Sequence, residues 1–117
     1  MILADTSVWV DHLQRRNAEL AALLVEEQVL CHPLVVGELA CARLKNREEI
    51  LTLLHALPQA HTVEHEEALE FIEAHGLMGT GLGWVDVHLL AAVVLAGAQL
   101  WTLDRRLMNV AERLGAA

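Results

Sequence analysis

Four acidic side chains occupy places where a chain of this kind has little to pair them with. Asp5 follows at once on the apolar run MILA, and Asp104 directly follows QLWTL. Either can simply cap the helix after it, because aspartate is a favoured N-cap residue. Asp86 opens the stretch WVDVHLLAAVVLAG after HGLMGTGLG, a segment with four glycines in nine residues. Capping is open for Asp86 as well, although a helix start beside flexible glycines can also face a ligand closely. Glu38 lies in HPLVVGELACA, and on a helix its neighbours three and four positions away are Leu34, Val35, Cys41 and Ala42. All four are apolar, so that face is expected to look inward. A carboxylate there costs several kcal/mol unless it is paired or bound to a metal. An internal arginine is the structural alternative.

Asp5, Glu38 and Asp86 have no lysine or arginine within four positions, and only Asp104 is followed by basic residues, Arg105 and Arg106. Clustered carboxylates repel, and a cation among them relieves the repulsion. Oxygen-only ligands favour a hard ion, Mg²⁺ or Mn²⁺, over zinc. Seven histidines invite a zinc reading, but there is no HExxH. His61 and His65 are expected to straddle a strand end and a helix start, and His88 to point away from Asp86 along the same helix.

The elements that must position these acids alternate in type. Residues 1–4 read as a strand, followed by a helix from about Ser7 and another over about Ala18–Glu27. VLCHP (29–33) reads as a second strand, with Pro33 at the first turn of a helix to about Leu44. REEILTLLHAL is helical, AHTV (60–63) a weak third strand, and an acidic helix follows through about Ala74. After the glycine loop a helix spans about Trp84–Ala96 and stops at Gly97; QLWTL and DRRLMNVAERLG form the last strand and helix. This alternation, without hairpin turns, predicts an α/β fold with a parallel sheet between helices. In such a sheet ligands bind beyond the carboxyl ends of the strands, the edge to which Asp5 and Asp104 are assigned.

The chain of 117 residues is expected to form a single domain, 1–117. Its hydrophobic share is 55%, yet its longest apolar stretch is about ten residues, against roughly 20 for a spanning helix. Asp5 cuts the apolar start short, which makes a poor signal peptide. A soluble cytoplasmic protein whose apolar surface meets a partner is expected. Cys31 and Cys41 form no metal or redox motif and are expected as buried, reduced thiols. A net charge of −8 argues against a broad nucleic-acid face, although Arg15–Arg16, Arg43–Lys45–Arg47 and Arg105–Arg106 are clustered. Trp9 and Trp84 can stack a base or anchor a partner, whereas Trp101 is expected in the core.

MILADTSVWVDHL, HPLVVGELA, GLGWVDVHLLAAVVLAG and LWTLDRRL, in this order and spacing, give the chain a resemblance to the PIN-domain ribonucleases, specifically the VapC-type toxins of type II toxin–antitoxin pairs. The resemblance runs nearly end to end. It implies a three-layer fold with a central parallel sheet of about four or five strands flanked by helices. It also implies that Asp5, Glu38, Asp86 and Asp104 are the catalytic acids, holding one or two Mg²⁺ or Mn²⁺ ions for hydrolysis of RNA. Thr6, Ser7 and Thr102 match supporting hydroxyls; Arg15, Arg16, Lys45, Arg105 and Arg106 are candidates for the RNA backbone. A homodimer, a VapB-type antitoxin and an RNA substrate, tRNA among those that fit, belong to the same implication. The chain departs from many relatives in lacking a second acid close to Asp86, which leaves metal number open. The rival function is a catalytically silent PIN-fold module that acts through a protein partner.

Overall fold

The computed structural model describes all 117 residues. Three strands, β1 (Ile2–Ala4), β2 (Val29–Leu30) and β3 (Gln99–Trp101), form a wholly parallel sheet in the order β2-β1-β3. Leu3 pairs with Leu30 on one side and Leu100 on the other. The first strand is therefore the central one, with a neighbour on each flank. The chain reverses its direction of winding there, and the crevice at such a switch point opens beyond the strand's carboxyl end. The residue at that point is Asp5.

Seven helices complete the fold: α1 (Thr6–Arg15), α2 (Ala18–Val25), α3 (Pro33–Ala40), α4 (Arg47–Ala56), α5 (His65–His75), α6 (Trp84–Ala96) and α7 (Arg105–Arg113). The first four pack in sequence around α1 and α3, while α5 packs on α6, and α6 and α7 pack on β3. Helix α6 is buried without a break from Val87 to Val93, as its all-round apolar composition requires. Leu89 and Leu90 join Leu3, Trp9, Val29, Leu39 and Leu107 in one core. Truncating either leucine to alanine costs about 2–5 kcal/mol, because the close-packed surroundings only partly collapse into the space left.

The sheet is smaller than the four or five strands expected. Residues 60–63 do not form a strand, and only a parallel bridge joins Cys31 to Gln59. Cys31 N–H donates to the Pro58 carbonyl and Ala60 N–H to the Cys31 carbonyl, both at 2.8 Å. Pairing then lapses. Pro58 offers no N–H, and His61 and Thr62 are exposed, so no apolar face favours extending the ladder. Helix α3 ends at Ala40 rather than near Leu44. Its last turn is followed by Asn46 in the left-handed region at φ +53°, and α4 starts there. Cys31 is buried as expected, with its thiol pushed up to about 11 by burial, but Cys41 is exposed. No helix is long and apolar enough to cross a membrane.

Candidate active site

The site begins at the seam between β1 and β3. Asp5 N–H donates to the Trp101 carbonyl at 3.0 Å, continuing the ladder one residue past β1. The Asp5 side chain is only 6% exposed, so its charge needs donors. Ser7 Oγ donates to Oδ1 and Thr102 Oγ1 to Oδ2, each at 2.5 Å. Val8 N–H also reaches Oδ1, at 3.3 Å, so Asp5 does cap α1. The orientation of the two hydroxyls is fixed from behind. Ser7 Oγ accepts Leu103 N–H at 2.9 Å, and Thr102 Oγ1 accepts Asp104 N–H at 3.0 Å. With backbone donors on their lone pairs, both hydroxyl protons are free to point at the carboxylate. Two residues 95 positions apart, Ser7 and Thr102, thus clamp one acid.

The same hydroxyls carry the chain to the second acid. Asp104 Oδ1 accepts Arg106 N–H at 2.9 Å and Leu107 N–H at 3.1 Å, capping α7. Asp86 Oδ2 reaches back to Gly83 N–H at 3.2 Å, capping α6. The capping roles weighed for these aspartates are therefore real. They are compatible with a second role, because a cap engages one oxygen and leaves the other. Asp86 Oδ1 and Asp104 Oδ2 have no protein donor.

Glu38 is placed differently from the expectation. It is exposed, as are Cys41 and Ala42 on its face, and it has no buried arginine partner: the chain's one ion pair joins Arg15 to Asp11. Helix α3 buries Val35 and Leu39 instead, which rotates Glu38 outward toward the start of α1. There Glu38 Oε1 accepts Thr6 Oγ1 at 2.5 Å, and Oε2 has no protein donor.

Electrostatics tie Asp86 to the other three. Burial raises its carboxyl above the ordinary carboxylate range, and the negative charges of Asp104, Asp5 and Glu38 raise it further against the opposing Gly83 hydrogen bond. No basic group offsets them. An all-oxygen donor set with unpaired lone pairs and excess negative charge fits a hard divalent cation. The carboxylates are turned to their own caps and hydroxyls, and no three of them form a closed ligand array; to hold a shared cation the free oxygens would have to rotate toward it.

Other sequence candidates are separated by the structure. Trp9 is wholly buried and unavailable to a base, while Trp84 is 40% exposed. The Trp84 ring contacts His65 and His88, with centroids 5.1 and 4.7 Å away. His88 is thus packed on the aromatic ring beside Asp86 and buried. Sequence reasoning missed His32. It is buried, its Nδ1 accepts Leu34 N–H at 3.0 Å, and it caps the helix that presents Glu38. Pro33 marked that position, but histidine is not among the usual caps. Burial, and to a smaller degree His88, lowers its imidazole to about 4.

Comparison with known proteins bears on the family and the fold. Residues 2–113 match the PIN domain family. The chain is 46% identical over 118 aligned residues to "Ribonuclease VapC32" of two Mycobacterium tuberculosis strains, covering 100% of this chain and 95% of each relative. Among solved structures, PAE2754 from Pyrobaculum aerophilum superposes with a TM-score of 0.66 over 99% of this chain and 96% of that one, at 15% identity. That last likeness concerns the fold alone.

Proposed function

This chain belongs to the PIN-domain family, and on that premise we propose that it is a ribonuclease of the VapC toxin type, a metal-dependent endonuclease that hydrolyses RNA phosphodiester bonds at Asp5, Glu38, Asp86 and Asp104. The observation that carries the proposal is the gathering of these four acids, from β1, α3, α6 and the end of β3, with no basic partner among them. A bound Mg²⁺ or Mn²⁺ supplies a water-derived nucleophile near neutral pH and stabilises charge on the phosphate and leaving oxygen.

The protein's part is positioning. Asp5, fixed by Ser7 and Thr102, is the rigid ligand of the set. Asp86 and Asp104 each offer the oxygen that their caps leave free. Glu38, held by Thr6 at the exposed rim, orients a second ion or the attacking water. One or two ions are compatible with this division. The exposed faces of α4 and α5, with Leu53 and Leu69 uncovered, leave room for a second copy of the chain and for a VapB-type antitoxin.

The test is cleavage of cellular RNA by antitoxin-free protein in Mg²⁺ or Mn²⁺, with EDTA and Asp5→Asn controls and mapping of the ends. Discrete cuts that vanish in both controls are expected. Cleavage that persists in EDTA would sink the metal-dependent mechanism, and no cleavage by folded, metal-loaded protein would sink the ribonuclease reading.

A further inference from the structure

Five basic side chains are candidates for the RNA backbone, and their surroundings distinguish one. Arg15 is matched to Asp11 at 2.7 Å. Arg16 closes α1 with its backbone at φ +53°, and Lys45 lines a groove with Val10, Leu13 and Ile50. Arg105 has no partner that places it. Arg106 is different. Its N–H is held by Asp104, and its side chain lies back across the glycine loop that leads to Asp86. A Cβ at Gly81 would meet Arg106 Nη1 at 3.1 Å and Cδ at 3.2 Å. Gly81 is the one glycine of the seven whose missing side chain is replaced by such a contact. Its φ of +83° also suits glycine and strains any other residue. Two independent demands, backbone conformation and room, therefore fall on the same position.

The result is a guanidinium laid between the segment that caps with Asp86 and the one that caps with Asp104. It makes no ion pair or hydrogen bond with any of the four acids. Seated on Gly81 and exposed, the side chain keeps its planar donors open. We propose that Arg106, docked on Gly81, is a phosphate-binding residue of this site, gripping the RNA backbone next to the carboxylates. The proposal rests on the ribonuclease reading and adds to it the residue that meets the substrate's charge. Arginine suits the task because its fork matches two phosphate oxygens at once and stays charged at every working pH.

The experiment measures two quantities on the full chain. Binding of a single-stranded RNA oligonucleotide is followed by fluorescence anisotropy across a NaCl series in the Asp5→Asn background, where the RNA stays intact. Steady-state cleavage is measured with Asp5 present. Arg106→Ala is expected to cut kcat/KM by about 10- to 100-fold, the worth of a charge-assisted hydrogen bond. It is also expected to flatten the slope of log affinity against log salt by about 0.7, one phosphate contact on a single strand. Arg106→Lys should keep the salt slope and lose most of the rate, because it retains charge but not the fork. Arg106→Gln, with its stem still on Gly81, repeats the loss if the alanine variant loosens the loop. Gly81→Ala should lower both quantities with Arg106 intact. Arg113→Ala removes the same charge from the same helix, where the guanidinium donates to the His75 carbonyl, and should leave both unchanged. Arg106 variants that behave like Arg113→Ala, with wild-type cleavage intact, overturn this assignment alone. A wild-type protein that neither cleaves nor binds RNA overturns the ribonuclease reading and this assignment together.

Discussion

Replacing Thr102 with valine removes a hydroxyl and little else, since the two side chains have nearly the same shape. Two hydrogen bonds go with it: the 2.5 Å donation to Asp5 Oδ2 and the 3.0 Å acceptance from Asp104 N–H. The first is made to a charged group and is worth about 1.5–3 kcal/mol, the second about 1 kcal/mol. Thr102 is 3% exposed and Asp5 6%, so water does not readily replace either bond. Valine leaves no cavity, which removes the usual packing penalty. The expected loss is therefore about 2.5–4 kcal/mol, or a fall in Tm of roughly 10–16 °C for a domain of this size. Thermal melts at pH 7 check it, with Thr102→Ser as the rescue because serine can restore both bonds. If the loss runs through Asp5, Thr102→Val should cost less in an Asp5→Asn background, a coupling that a double-mutant cycle reads directly. Cleavage should fall in parallel, since the same bonds fix both acids. A valine variant that melts within about 2 °C of wild type, where about 4 °C per kcal/mol is expected, would refute the idea that the hydroxyl clamp holds the site.

Glu38→Gln should change stability by less than about 0.5 kcal/mol, as surface substitutions do, because Glu38 is exposed and glutamine can still accept from Thr6; denaturant melts and cleavage assays together should show a folded, inactive protein. His32, lowered to about 4 against an ordinary 6.5, resists protonation in the folded state. The unfolded chain binds more protons between those values, so this contribution is present above pH 6.5 and is lost as pH falls toward 4. The gap corresponds to at most about 3 kcal/mol, and the Tm of His32→Asn, which keeps a capping oxygen, should fall less steeply over that range. Asp86 has the opposite sign: its raised carboxyl withdraws stability as pH rises through the folded-state value. Asp86→Asn should accordingly melt higher than wild type at pH 7 without divalent ions; Mn²⁺ is expected to raise the wild-type Tm by binding the folded state, and Asp86→Asn should lose that rise. Equal shifts with Mn²⁺ in both proteins would remove Asp86 from the ligand set.

Most of the architecture was legible in the chain because local signals and burial agreed. The apolar start ending at Asp5, Pro33 at the first turn of α3, and the stretch from Trp84 to Gly97 each carry a boundary in their own residues. The strand expected at 60–63 failed because its partner, not its sequence, decides: the pairing with Cys31 ends at Ala60, and the exposed His61 and Thr62 offer no apolar face to cover. Glu38 was read inward from the helical spacing of Leu34, Val35, Cys41 and Ala42, yet α3 is too short, ending at Ala40, for the last two to lie against the core.

The types and order of the four acids stand in the sequence itself, and an all-oxygen set prefers a hard ion because ligand hardness is a property of the atoms. What only the tertiary structure decided is how each acid is held. The Ser7–Asp5–Thr102 clamp joins residues nearly the whole chain apart, His32 acts as a cap through an unusual side chain, and Arg106 finds its seat on Gly81. Such contacts depend on the parallel pairing of β1 with β3. That pairing is non-local, and no periodicity within either segment encodes which residue of one will face which residue of the other.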